Sequence, residues 1–161
     1  MDLSQLSQQL GDVLLSRDWQ LACAESCTGG GIAAAVTDIA GSSQWFDRGF
    51  VTYSNQAKQD MLGVAGETLE NHGAVSEQTV REMVAGALSR SAAQVSVAVS
   101  GVAGPGGGTA EKPVGTVYIA WQVEGQEPVV RTEHFVGNRA SIREQTVRSA
   151  LQGLLSAIEP S

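Results

Sequence analysis

The chain has only two cysteines and two histidines among its 161 residues. Cys23 and Cys27 flank the end of an expected strand, where their side chains diverge. With His72 and His134 far from them and from each other, no zinc-site spacing results. No metal site is expected, and so sparse a use of cysteine fits a reducing cytoplasm. Basic residues are scarce too: 10 Lys and Arg stand against 17 Asp and Glu, a net charge of −7. That balance speaks against nucleic acid as a partner, and an anionic substrate would need a local positive pocket. No apolar run approaches the roughly 20 residues of a membrane span. The N-terminus lacks the basic-then-apolar order of a secretory signal. Neither a membrane partner nor export is expected.

What is present describes a globular protein. Apolar residues make up 42% and charged residues 17%, enough to bury a sizeable core in one domain spanning 1–161. Leu3, Leu6, Leu10, Val13 and Leu14 recur at helical spacing and predict a helix over 3–16. Strands are expected at about 20–25, 49–53, 95–99, 115–123 and 128–136. Helices are expected at about 28–38, 54–61, 76–90 and 138–158, with a glycine-punctuated helical connection at 63–73. A short turn at 124–127 joins the last two strands as a hairpin. Alternating helices and strands imply a three-layer α/β/α fold around a mixed, mostly parallel sheet of about five strands.

Four stretches carry candidate chemistry. Ala24-Glu25-Ser26-Cys27-Thr28-Gly29-Gly30 puts a hydroxyl at a strand-to-helix turn, beside a helix N-terminus able to hold negative charge. A nucleophile suits that place; a plain helix cap at Ser26 or Thr28 is the alternative. Cys27 is either a rival nucleophile or a small buried filler. Tyr53 and Lys58 begin at a second strand end. There a lysine with a lowered pKa can act as a general base, or Lys58 is a solvated helix residue and Tyr53 an edge aromatic. Ser100, Gly101 and Gly104 open a glycine-rich loop. It is neither a P-loop nor a dinucleotide fingerprint, but either an anion-binding nest or a flexible connector. Arg139 and Arg143 share one face at the start of the last helix, a phosphate site unless Glu133 or Glu144 pairs with Arg143. Lys112, beside the glycine loop, is a lesser candidate for the same anion.

Together these motifs are specific: Ala-Glu-Ser-Cys-Thr-Gly-Gly at 24–30, Gly-Phe-Val-Thr-Tyr-Ser-Asn at 49–55 with Lys58, Gly-Ala-Val-Ser at 73–76, Ser-Gly-Val-Ala-Gly-Pro at 100–105 and Lys-Pro-Val-Gly-Thr-Val at 112–117. In collinear order over nearly the whole chain, the sequence resembles the C-terminal domain of the CinA (competence/damage-inducible) family, in its stand-alone form. Stand-alone members resemble a nicotinamide-nucleotide amidase, which hydrolyses the carboxamide of nicotinamide mononucleotide. The resemblance implies Ser26 as nucleophile with Lys58 and Tyr53 as activating partners. N–H groups of Thr28, Gly29 and Gly30 would hold the oxyanion. The phosphate and ribose would fall to the loop bearing Ser100, Gly101 and Gly104 and to Arg139 and Arg143. The expected partner is a small pyridine nucleotide, with no cofactor, and the expected assembly is a homo-oligomer. A non-catalytic nucleotide-binding domain linked to competence or DNA damage is the alternative. One departure stands out: the family loop often reads Gly-Pro-Asp-Gly-Gly, and here Gly106 replaces the acid.

Overall fold

The computed structural model describes residues 1–159, so the last two residues of the expected domain lie outside the described ones. The first helix, α1 (Leu3–Ser16), opens with a reciprocal cap. Asp2 Oδ1 accepts from the Gln5 N–H and Gln5 Oε1 accepts from the Asp2 N–H, both at 2.8 Å. Its apolar face buries Leu6, Leu10 and Leu14. Strand β1 (Leu21–Glu25) leads into α2 (Gly31–Thr37), then β2 (Phe46–Val51), α3 (Asn55–Leu62), α4 (Gly66–His72) and α5 (Glu77–Ser89). Strands β3 (Val95–Gly101), β4 (Thr116–Val123) and β5 (Val129–His134) follow, and α6 (Arg139–Ile158) closes the fold.

The five strands form one sheet in the order β2-β1-β3-β4-β5. Strand β1 pairs parallel with β2 and β3, and β4 pairs antiparallel with β3 and β5. Two pairings are parallel and two antiparallel, so the sheet is mixed, with four strands pointing one way and β4 alone reversed. Helices cover both faces. Leu10 of α1, Ile32 of α2 and Leu151 of α6 share one apolar cluster, and Leu62, Leu69 and Met83 of α3, α4 and α5 share the other. Central strands β1 and β3 are buried along their length apart from Gly101, which explains their continuous apolar reading.

Several boundaries differ from the sequence reading, and two of them shape the site. Strand β2 starts at Phe46, which pairs with Leu21, and ends at Val51. Thr52 and Tyr53 leave the strand and lend their carbonyls to a side chain of α3. Helix α2 starts three residues late, because Gly29 and Gly30 take left-handed φ values of +59° and +106° and form a turn first. The consequence for function is positional. Ser26, the 52–58 segment and the loop after Gly101 all follow the carboxyl ends of β1, β2 and β3. In open α/β sheets that edge carries the ligand crevice.

Candidate active site

At that edge lies a cleft of about 330 Å³, walled by Ser26 and Cys27, by Tyr53, Asn55 and Lys58, by Ala74 and Val75, and by the glycine-rich loop from Ser100 to Gly108 with Arg139. A larger groove of about 760 Å³ at the far end of α6, lined by Trp19, Trp121, Arg17 and Arg131, holds no comparable pair of nucleophile and base.

The centre of the cleft is one contact. Lys58 Nζ stands 3.0 Å from Ser26 Oγ. The same nitrogen donates to the carbonyl oxygens of Thr52 at 2.8 Å and Tyr53 at 3.4 Å. Lys58 is 1% exposed and joins no ion pair among the described residues. Burial lowers its pKa below the ordinary lysine value, against a smaller opposing effect of Cys27. A neutral amine has two hydrogens and one lone pair. Two carbonyls take the hydrogens, which leaves the lone pair facing the serine hydroxyl. Helix α3 sets this up: Ser54 caps it by accepting from the Ala57 N–H at 3.0 Å, and Lys58 falls in its first turn and points inward.

Cys27 lies beside Ser26 but is a poor nucleophile. Burial is the main cause that pushes its thiol up to about 11. Little thiolate is present near neutral pH.

The turn carrying Ser26 is held from two sides. Glu25, fully buried, accepts from Thr28 Oγ1 at 2.6 Å and the Ile32 N–H at 2.8 Å on Oε1, and from the Ala33 N–H at 3.0 Å on Oε2. On the other side Arg143 donates from Nε to the Cys27 carbonyl at 3.1 Å and from Nη2 to the Thr28 carbonyl at 3.0 Å. Arg139, one turn earlier on α6, instead crosses the mouth of the cleft. Its Nη1 donates to the Gly104 carbonyl at 2.8 Å and its Nη2 to the Tyr53 hydroxyl at 3.2 Å.

A family model for the CinA C-terminal domain matches residues 3–158. The chain belongs to the CinA C-terminal domain family. A relative from Escherichia coli strain K12, named nicotinamide-nucleotide amidohydrolase PncC, is 54% identical over 153 residues, covering 95% of this chain and 93% of its own. A relative of the same name from Enterobacter agglomerans is 53% identical over the same shares. The crystal structure of the competence/damage inducible protein CihA from Agrobacterium tumefaciens matches with a TM-score of 0.97 at 48% identity, covering 99% of this chain and 97% of that one.

Within this CinA domain the expected site residues divide. Ser26, Lys58, Tyr53, Ser100, Gly101, Gly104 and Arg139 come together in the cleft wall. Thr28, Gly29, Gly30 and Arg143 do not. Thr28 is bonded inward to Glu25, Gly29 and Gly30 shape the turn, and Arg143 is occupied by backbone carbonyls. The Gly29 N–H is spent on the Ser26 carbonyl at 3.1 Å, so it is not an oxyanion donor. The Tyr53 phenol pairs with Arg139, and only the Tyr53 backbone carbonyl touches Lys58. Lys112 is turned away as well, donating to the His72 and Val75 carbonyls and lying over the Tyr118 ring. Gly106 lines the cleft, and a Cβ there would meet nothing within 4 Å, so the acid common in the family would fit.

Sequence reasoning missed Glu25 as a structural partner and Asn55 in the cleft wall. The signal for Glu25 was present: Gly30 precedes the helix without a capping side chain, so the cap had to come from elsewhere. Among the described residues no group of three or more His, Cys, Asp or Glu side chains is disposed to hold a metal ion. Among them, too, no helix is long and apolar enough to cross a membrane.

Proposed function

We propose that this CinA domain, as one folded unit, hydrolyses the carboxamide of nicotinamide mononucleotide to nicotinate mononucleotide and ammonia. The observation that carries the proposal is the buried contact of Lys58 Nζ with Ser26 Oγ at 3.0 Å, in a cleft whose mouth bears an arginine in no ion pair among the described residues. Relatives named nicotinamide-nucleotide amidohydrolase, more than half identical over nearly the whole chain, support the choice of amide.

In this reading Ser26 Oγ attacks the carboxamide carbon while neutral Lys58 takes the hydroxyl proton. The tetrahedral intermediate collapses as the lysine returns that proton to the leaving nitrogen, and ammonia departs. Water, deprotonated by the same amine, then attacks the acyl-serine ester, the amine returns that proton to the leaving Ser26 Oγ, and the acid product ionises to the carboxylate. The oxyanion needs donors. The Ile32 and Ala33 N–H groups are already spent on Glu25. The Cys27 N–H, next to the nucleophile, donates to no carbonyl among the described residues, and Cys27 belongs to the cleft wall. It takes the role that the residue after the nucleophile plays at a strand-to-helix elbow. Tyr53 supports Lys58 through its carbonyl and Arg139 through its phenol. Arg139, resting on two neutral oxygens, is the cation that a substrate phosphate would claim.

The test is ammonia release from nicotinamide, its riboside and its mononucleotide. The proposal requires release from the mononucleotide above the other two. Binding of the mononucleotide without ammonia would support the alternative of a non-catalytic nucleotide-binding domain, although such a domain has no need of a buried serine–lysine contact.

A further inference from the structure

Glu25 is the last residue of β1, adjacent in sequence to Ser26 and 0% exposed. No Lys, Arg or His pairs with it among the described residues. Its side chain faces the start of α2, where N–H groups otherwise lack acceptors. The residue at the N-cap, Gly30, has no side chain to offer. Both carboxylate oxygens are used. Oε1 holds the Thr28 hydroxyl and the Ile32 N–H, and Oε2 holds the Ala33 N–H. The strand end, the turn and the helix start are thus tied to one side chain. Ser26, Cys27 and Thr28 hang between these ties, and Arg143 fixes the carbonyls of Cys27 and Thr28.

We propose that Glu25 is a positioning residue for the reaction: it holds the Ser26–Thr28 turn so that Ser26 Oγ stays on Lys58 and the Cys27 N–H faces the cleft. The inference rests on the reading of Ser26 as nucleophile. Glu25 touches no cleft space itself, and the mouth formed by Arg139, Tyr53 and the glycine loop is independent of it. Loosening the turn therefore misplaces the attacking oxygen and its oxyanion donor while leaving the nucleotide's contacts in place. The cost falls on kcat and not on KM. A carboxylate that only anchored the fold would instead leave the folded fraction fully active.

Glu25→Gln keeps the shape but replaces one acceptor oxygen by an amide donor, facing an N–H or the Thr28 hydroxyl. Thr28→Val removes a single hydrogen bond and is the milder variant. Each is compared with wild type in three ways: melting, steady-state kinetics on nicotinamide mononucleotide, and the rate at which a fluorophosphonate probe labels Ser26. The probe reads serine reactivity whatever the natural substrate is. Folded Glu25→Gln should lose about tenfold or more in kcat and in labelling rate. Its KM should stay within about threefold of wild type, the split expected when the lost interaction acts in the transition state. Thr28→Val should fall in the same direction by a smaller factor. Wild-type kcat and labelling in folded Glu25→Gln, or a raised KM with unchanged kcat, overturns the proposal. If Glu25→Gln does not fold, Thr28→Val decides, and wild-type rates there overturn it. A wild-type protein that is labelled but releases no ammonia refutes the substrate assignment alone, and the labelling rates still test Glu25. A wild-type protein that does neither overturns both.

Discussion

Lys58 Nζ and Ser26 Oγ, 32 positions apart in the chain, meet at 3.0 Å with the amine's other contacts taken by two carbonyl oxygens. The arrangement has a direction. Carbonyls accept only, so they hold the amine hydrogens and aim the lone pair at the hydroxyl. That geometry suits a neutral lysine, and burial lowers the Lys58 pKa toward the neutral form.

This gives a pH signature. The active form is the deprotonated amine, so kcat/KM should rise with pH and level off above the Lys58 pKa, which lies below that of an ordinary lysine. Initial rates from acid to mildly alkaline pH check this. Lys58→Ala should lose about 10²–10⁴-fold in kcat, the usual worth of a general base. Lys58→Arg should fare no better, because a guanidinium stays charged.

The same shift has a stability counterpart. A lysine whose pKa is lower in the folded state binds fewer protons there than in the unfolded chain. Folding stability then increases with pH between the folded and unfolded pKa values, and is lost as pH falls through the folded one. Lys58→Met removes the titrating group. Whatever the two melting temperatures are at neutral pH, raising the pH toward the ordinary lysine value should move their difference in favour of the wild type. A difference that does not change with pH would contradict a depressed Lys58.

The two arginines of α6 should separate cleanly. Arg139→Ala should raise KM for nicotinamide mononucleotide and affect the phosphate-free riboside much less, since a lost contact to phosphate matters only when phosphate is there. Arg143→Ala should lower kcat on both substrates alike and destabilise the fold by about 2 kcal/mol, because two backbone carbonyls lose a charged donor. Kinetics on both substrates with a thermal melt of each variant check this.

Cys27 should be chemically quiet. With its thiol pushed up to about 11, alkylation by iodoacetamide at neutral pH should be slow in the native protein and rapid after unfolding. Cys27→Ala should keep most of the activity.

Much of this was legible in the sequence. Apolar runs and helical faces marked every strand and α-helix but not the short 3-10 turn at Ser42–Gln44, and the hydroxyl at the end of β1 and the lysine after β2 converge as their places at strand ends required. What was not legible depended on tertiary partners. Arg139 and Arg143 look equivalent on a helix, yet a single turn decides that one spans the cleft mouth and the other meets the Ser26 turn. Thr28 reads as a ligand contact or a cap, but Glu25, three residues before it, draws its hydroxyl inward. The Tyr53 side chain reaches the rim, because the strand ends before it and its neighbour Thr52 turns into the core.

The central claim is that Ser26, deprotonated by Lys58, carries amide hydrolysis in this CinA domain. Its most direct measurement is ammonia release from nicotinamide mononucleotide by wild type and by Ser26→Ala at equal concentrations of folded protein. The account predicts steady release by the wild type and only background from Ser26→Ala, whose melting temperature and product binding remain close to wild type. Release by Ser26→Ala at the wild-type rate would contradict it.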